Sequence, residues 1–203
     1  MLFGIVWFVI LYFSKWQQSG DFSVTKAVFL DRDGVINKSL VHNGKPFAPT
    51  NLNDFQILPG VSESLISLKA SGYLTVVVTN QPDLSTGKQT WESLNEIHAY
   101  LNSQCHIDMV KVCSHVSEDR CSCRKPNPGM LIEASKELEI DLSQSYMIGD
   151  RWGDVEAGQR SGCKNTFFID YGYKEKKPTG DFISVNSLRE CANIILKIKT
   201  NNN

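Results

Sequence analysis

Asp31-Arg32-Asp33-Gly34-Val35 sets two carboxylates two residues apart, directly after the apolar run at 26–30. Where a strand ends and the chain turns, side-chain alternation lapses, so both carboxylates can converge on one cation. Gly34 permits the tight turn that brings backbone amides to a bound anion. Alone, the segment reads better as a solvated turn, where Asp and Gly are common. Later segments change that balance. The run at 73–78 is followed by Thr79-Asn80-Gln81, a hydroxyl and two amides that can hydrogen-bond a phosphate without adding charge. The run at 145–148 leads through Gly149 into Asp150-Arg151-Trp152-Gly153-Asp154. Asp150 and Asp154 are four apart, and a helix beginning there would put both on one face. Asp31, Asp33 and Asp150 are hard oxygen donors of the kind Mg²⁺ takes when it bridges protein and substrate phosphate. Lys125 supplies the positive charge that a phosphoryl group among carboxylates requires.

A second constellation is Cys113, His115, Cys121 and Cys123, three thiols and an imidazole within eleven residues. Four N/S donors match a closed tetrahedral structural zinc site, although the spacing is not that of a standard finger. A zinc-stapled loop is the favoured reading; free thiols and a redox pair are the alternatives. Zinc would fold a loop too short for its own core. Arg124 and Lys125 follow Cys123 directly, so the loop would also aim them. Cys105, Cys163 and Cys191 read as ordinary buried residues. His98 and His106 offer no case as ligands, while His42 lies in a loop that can meet substrate.

The elements that must position these groups alternate. Short apolar runs at 26–30, 73–78, 108–112, 145–148 and 166–169 read as strands. Helical patterns at 61–70, 91–101, 130–138, 155–161 and 188–198 lie between or after them, and 34–59 is loop-rich. Such alternation predicts an α/β fold with a buried parallel sheet and helices on both faces. Ligands in such folds bind outside the carboxyl ends of the strands. Asp31, Thr79, Cys113 and Asp150 all fall at those ends.

DRDGV, VVVTNQ, RKPNPGM and GDRWGD, in that order, resemble the four motifs of the haloacid dehalogenase (HAD) superfamily of phosphatases, over about residues 26–173. The resemblance implies a Rossmann-like HAD fold and a set of roles. Asp31 attacks phosphorus and becomes an aspartyl phosphate. Asp33 protonates the leaving alcohol, then activates water. Thr79 and Lys125 hold the phosphoryl oxygens. Mg²⁺ sits on Asp31, Asp150 and the Asp33 carbonyl, with Asp154 supporting from behind. With the Cys/His loop included, the pattern is similar to the branch of heptose-bisphosphate and histidinol-phosphate phosphatases. That likeness implies substrate contacts from Ser39, His42, Asn80, Gln81 and Arg124, the last clamping a second phosphate. Arg32 and Arg151 are each expected as a salt-bridge partner or a substrate contact. Two places depart from the branch. Pro82-Asp83-Leu84-Ser85-Thr86-Gly87 stands where the heptose enzymes usually carry a Ser-Gly-Ile-Ala-Arg-Gly type sequence, and Ser114 stands where a proline normally follows the first cysteine. No long insertion separates the first two motifs, so no large cap domain is expected and the site should be open.

The 203 residues carry 21 basic and 22 acidic side chains, a net charge of -1. No basic excess marks a nucleic-acid partner. The expected partner is a small sugar phosphate, and a monomer is expected in the cytoplasm. Residues 1–20 are expected to stand apart from a phosphatase domain at 21–203. Their apolar run at 2–13 is shorter than the ~20 residues that cross a bilayer. It lacks signal-peptide flanks. A marginal membrane anchor, a degenerate leader and an upstream start remain open, the last favoured. The rival of another class is a non-catalytic zinc-stabilised binding module.

Overall fold

The computed structural model describes residues 24–200. The apolar run at 2–13 lies outside the described residues, and so does the whole of the expected leader at 1–20. Among the described residues, no helix is long and apolar enough to cross a membrane.

In chain order the strands are β1 (Lys26–Leu30), β2 (Leu40–His42), β3 (Lys45–Phe47), β4 (Tyr73–Asn80), β5 (Met109–Cys113), β6 (Tyr146–Gly149), β7 (Asn165–Ile169) and β8 (Ile183–Val185). The helices are α1 (Val61–Ala70), α2 (Trp91–Cys105), α3 (Gly129–Glu137), α4 (Trp152–Ser161) and α5 (Leu188–Thr200). Six strands form one sheet in the order β5-β4-β1-β6-β7-β8. Every pairing in it is parallel. Each strand is a short apolar run because a parallel sheet is covered on both faces. Strand alternation divides the core. Val28, Leu30 and Val77 face a cluster that takes Leu65 and Leu68 from α1, Ile97 and Leu101 from α2, and Cys191 and Ile195 from α5. Ala27, Phe29, Val76 and Val78 face Met130, Leu131 and Ala134 of α3 and Ala157 of α4. Full burial of each such Leu, Val, Phe or Met contributes about 1.5–3 kcal/mol.

Helix boundaries follow local chemistry. The Thr90 side chain accepts from Ser93 N at 3.2 Å and starts α2. Gly162, at φ 84°, ends α4. The expected strands and helices are all present, most shifted or lengthened by a few residues. Two features add to them. The loop-rich stretch after β1 holds the antiparallel β2–β3 hairpin. Ile183–Val185 adds an edge strand, too short for its alternation to register in the sequence. This compact insertion leaves the sheet's carboxyl edge without a cap domain.

The chain leaves β1 toward β4 and β5, then returns to the other side of β1 for β6, β7 and β8. The order therefore reverses between β1 and β6, and open α/β sheets bind ligands at such a switch point. Asp31 follows β1 and Asp150 follows β6.

Candidate active site

Asp31 leaves the sheet as its backbone N–H donates to Ile148 O at 2.9 Å. Its carboxylate accepts from Arg32 N at 2.8 Å and pairs with Lys125 Nζ at 2.8 Å. Lys125 also pairs with Asp154 Oδ1 at 2.6 Å and donates to Val78 O at 2.7 Å. One carboxylate oxygen from each of Asp31, Asp150 and Asp154 lies within 4.8 Å of the others. Burial pushes the Asp31 carboxyl up to about 7; Lys125 opposes the shift, and Asp154 and Asp33 add to it. Burial works against the charge on Lys125, but Asp154 and Asp31 outweigh it and hold its pKa above the usual value. Asp150 is nearly sealed from solvent, and burial followed by repulsion from Asp31 and Asp154 drives its pKa well up. Neither of its oxygens meets a donor in bonding geometry among the described residues, and the Tyr173 hydroxyl eases the charge only in part.

A buried, unpaired carboxylate beside two others costs several kcal/mol unless a cation joins it. This donor set therefore fits a hard divalent cation such as Mg²⁺. The backbone reaches the same point. Gly34, at φ 89°, lies against Asp150, and a Cβ there would collide with its carboxylate. Only glycine can bring the chain after Asp33 so close.

The expectation that Asp150 and Asp154 share a helix face needs correcting. Helix α4 begins at Trp152, so Asp150 lies outside it. Asp154 is in the first turn, where its Oδ2 accepts from Arg151 N at 3.0 Å. Its other oxygen holds Lys125, which draws it into the carboxylate cluster rather than behind it. The Asp33 side chain, by contrast, is turned to its own partners. It accepts from Arg32, from Asn37 Nδ2 at 3.0 Å and from Gln81 Nε2 at 2.8 Å. The Asp33 side chain is thus not one of the three carboxylates, Asp31, Asp150 and Asp154, that group together.

Asp31, Asp33 and Lys125 line an open cavity of about 350 Å³. Its walls include Ser39 and Phe47 near the hairpin, Asn80, Pro82 and Asp83 after β4, Val116, Ser117, Arg120 and Arg124 from the Cys/His loop, and Arg151 and Trp152 at the start of α4. Four expected contacts, Ser39, Asn80, Arg124 and Arg151, are therefore at the cavity. Arg151 meanwhile forks onto Glu175, with Nη2 2.6 Å from Oε2. His42 is not brought there; it is exposed on β2, its ring 5.7 Å from that of Phe47. Gln81 and Thr79 are fully buried behind the wall, and Gln81 Nε2 also donates to Thr79 Oγ1 at 2.8 Å. Gln81 thus orients Asp33. Arg32 is 0% exposed and grips Asp33, which makes it a salt-bridge residue. Arg120, unnamed in the sequence reading, takes a left-handed conformation (φ 49°) after the 3-10 turn Ser117–Asp119. Its position inside the Cys/His loop is the sequence signal that marks it.

That loop closes on itself. Cys113 Sγ lies 3.6 Å from His115 Nδ1 and 3.7 Å from Cys121 Sγ. Cys123 Sγ lies 3.1, 3.3 and 3.4 Å from Cys113 Sγ, His115 Nδ1 and Cys121 Sγ. A tetrahedral site with metal–sulfur bonds of about 2.3 Å has edges near these lengths. The loop is tied to the cavity wall. Arg124 N donates to Cys121 Sγ at 3.4 Å and Arg124 Nη1 to His115 O at 3.0 Å. Asn80 brackets Lys125, accepting from its N–H at 3.1 Å and donating to its carbonyl at 3.2 Å. Cys105 and Cys191 are buried, as expected, while Cys163 is only half-buried.

A parallel sheet with a strand-end Asp, a lysine and a carboxylate cluster at its switch point defines a phosphatase of the HAD-like hydrolases. A HAD-hydrolase-like family model matches residues 122–189. The chain belongs to the same family as the D-glycero-β-D-manno-heptose-1,7-bisphosphate 7-phosphatases. It is 34% identical to that of Helicobacter pylori, over 72% of this chain and 85% of the relative. The enzyme of the same name from Vibrio cholerae is 32% identical, over 85% of this chain and 97% of the relative. Among solved structures, the D,D-heptose 1,7-bisphosphate phosphatase of B. bronchiseptica, complexed with magnesium and phosphate, aligns with a TM-score of 0.73. Its identity is 26%, covering 86% of this chain and 99% of that one.

Proposed function

We propose that the chain hydrolyses a phosphate ester of a heptose bisphosphate through an aspartyl phosphate on Asp31, in a Mg²⁺-dependent reaction. The observation that carries this is Asp31 itself. It is a strand-end carboxylate open to the cavity, paired with Lys125 at 2.8 Å and grouped with Asp150 and Asp154. Asp31 attacks phosphorus in line with the departing alcohol. Lys125 offsets the charge that gathers on the phosphoryl oxygens. Asp33 gives its proton to the leaving oxygen and later takes one from the attacking water. Asp31, Asp150 and the Asp33 carbonyl would hold Mg²⁺, which would supply charge neutralisation there. Arg124 and Arg120 receive the second phosphate, because guanidinium forks match its geometry. Cys113, His115, Cys121 and Cys123 would hold Zn²⁺, which would keep that wall in place, and reduced thiols suit a cytoplasmic protein.

The identity and coverage shared with the named relatives support the substrate class. Asp83 in the cavity wall is the specific feature that favours keeping histidinol phosphate, an amine-bearing substrate, as the second reading. Heptose 1,7-bisphosphate and histidinol phosphate, compared for phosphate release at saturating Mg²⁺, separate the two. Asp31→Asn is expected to lower release about a thousandfold or more, as loss of a catalytic nucleophile does. Acid quenching of wild type during turnover should leave phosphate on the peptide containing Asp31. Unchanged turnover by the variant, in a clean preparation, ends the covalent reading.

A further inference from the structure

Arg32 is buried completely, yet it carries a full charge between the two reactive aspartates in sequence. Its Nε donates to Asp33 Oδ1 at 3.2 Å, and its Nη2 donates to Asp33 Oδ1 and Oδ2 at 3.0 Å each. Its Nη1 turns away from Asp33 and meets Nε2 of His98 at 3.2 Å. Because a guanidinium only donates, His98 must be the acceptor, with its proton on Nδ1. The Phe55 ring lies 5.9 Å from the guanidinium carbon, so an apolar wall replaces water on that side. His98 comes from the middle of α2, on the stripe with Leu94, Ile97 and Leu101 that anchors the helix in the core.

We propose that His98 is a positioning residue for the phosphatase reaction, fixing the Arg32 fork that aims the Asp33 carboxyl at the leaving oxygen. The inference rests on the acid–base role given to Asp33 above. Without an acceptor at residue 98, one buried Arg32 N–H is orphaned, and an unsatisfied buried donor is costly enough to make the guanidinium rotate. Any rotation releases at least one of its three bonds to Asp33. The remaining holds, Asn37 and Gln81, contact one oxygen each and cannot replace a bidentate fork. Burial, followed by the nearby Arg32 charge, pushes the His98 pKa down to about 4, which keeps the ring a neutral acceptor at working pH.

The reacting step forms the bond from Asp31 oxygen to phosphorus and breaks the bond from phosphorus to the leaving oxygen. The Asp33 carboxyl proton passes to that oxygen. An alkoxide needs the proton as it departs; nitrophenolate leaves readily without it. A misaimed Asp33 should therefore harm alkyl phosphates selectively. General acid catalysis is typically worth 10²–10⁴-fold. His98→Met, which keeps volume and helix propensity but removes the strong acceptor, should lower kcat/KM for heptose 1,7-bisphosphate about ten- to a hundredfold. For p-nitrophenyl phosphate, kcat/KM should change less than about threefold by the same reasoning. His98→Gln, whose amide oxygen can accept from Arg32, should recover most of the alkyl rate. His98→Ala, which also lacks an acceptor, carries the same test if the Met variant does not fold. Equal loss of kcat/KM on both substrates, or no loss on either, overturns the proposal; kcat also contains the hydrolysis of the aspartyl phosphate, which Asp33 serves for both substrates alike. Asp33→Asn distinguishes failure of the underlying reading: if it retains alkyl-phosphate turnover, Asp33 is not the acid at all, whatever the His98 variants do.

Discussion

Charge at the site is held out of balance at the level of single residues. Asp31, Asp150 and Asp154 crowd together, with Lys125 as the cation bonded among them. The folded state therefore binds protons on Asp31 and Asp150 more readily than the unfolded chain does. Their pKa values stand above the ordinary 3.8, that of Asp31 at about 7. A raised carboxyl pKa contributes stability that is full below the unfolded value and is lost as pH climbs through the folded one. Metal-free protein should thus lose melting temperature between about pH 4 and pH 7, a window set by those two values. Thermal melts in chelator across this range check the sign. A rise in stability attributable to these groups over the same window contradicts the charge assignment.

At the level of elements, the Cys/His loop is a short connection between β5 and α3 with almost no apolar core of its own. Cys113 is anchored at the end of β5, while Cys123 leads straight into Arg124 and Lys125. Order in the loop therefore transmits to the lysine that holds Asp31. One zinc per chain is expected in metal analysis. Cys121→Ser should weaken metal retention and depress the melting temperature. It should also raise KM for a bisphosphate more than for p-nitrophenyl phosphate, since Arg120 and Arg124 would lose their support. Stable, zinc-free protein with wild-type kinetics for the variant would dispose of the staple.

Across the whole molecule, the site spans the crevice where the sheet reverses direction, so its groups belong to β1, β4, β6 and the loop before α3 at once. Binding a cation there reports on the complete fold. Mg²⁺ at a hundred times its dissociation constant should stabilise the native state by about 2.7 kcal/mol. Asp150→Asn should remove most of this gain while leaving the metal-free protein as stable as wild type or more so. The reason is that an uncompensated buried charge disappears. Melts with and without Mg²⁺ measure both quantities; equal Mg²⁺ gain in wild type and variant would show that Asp150 does not hold the ion.

Much of this architecture is legible in the sequence. Apolar runs buried on both faces announce parallel strands, and polar residues at their ends announce where chemistry collects. Asp31, Lys125, Asp150 and the four Cys/His donors stand out because motif spacing is a short-range property of the chain. Contacts between distant segments are not. Asp154 joins the carboxylate cluster because Lys125, 29 positions earlier, draws its oxygen inward. Gln81 faces Asp33 rather than the cavity, and His42 is carried away on a hairpin whose three-residue strands leave almost no periodic signal. The Arg32–His98 pair joins a strand end to the middle of a helix 66 residues away. The sequence determines which residues can do chemistry and at which strand ends they stand. Only tertiary packing decides which of them meet, because burial selects the partners that each polar group must find.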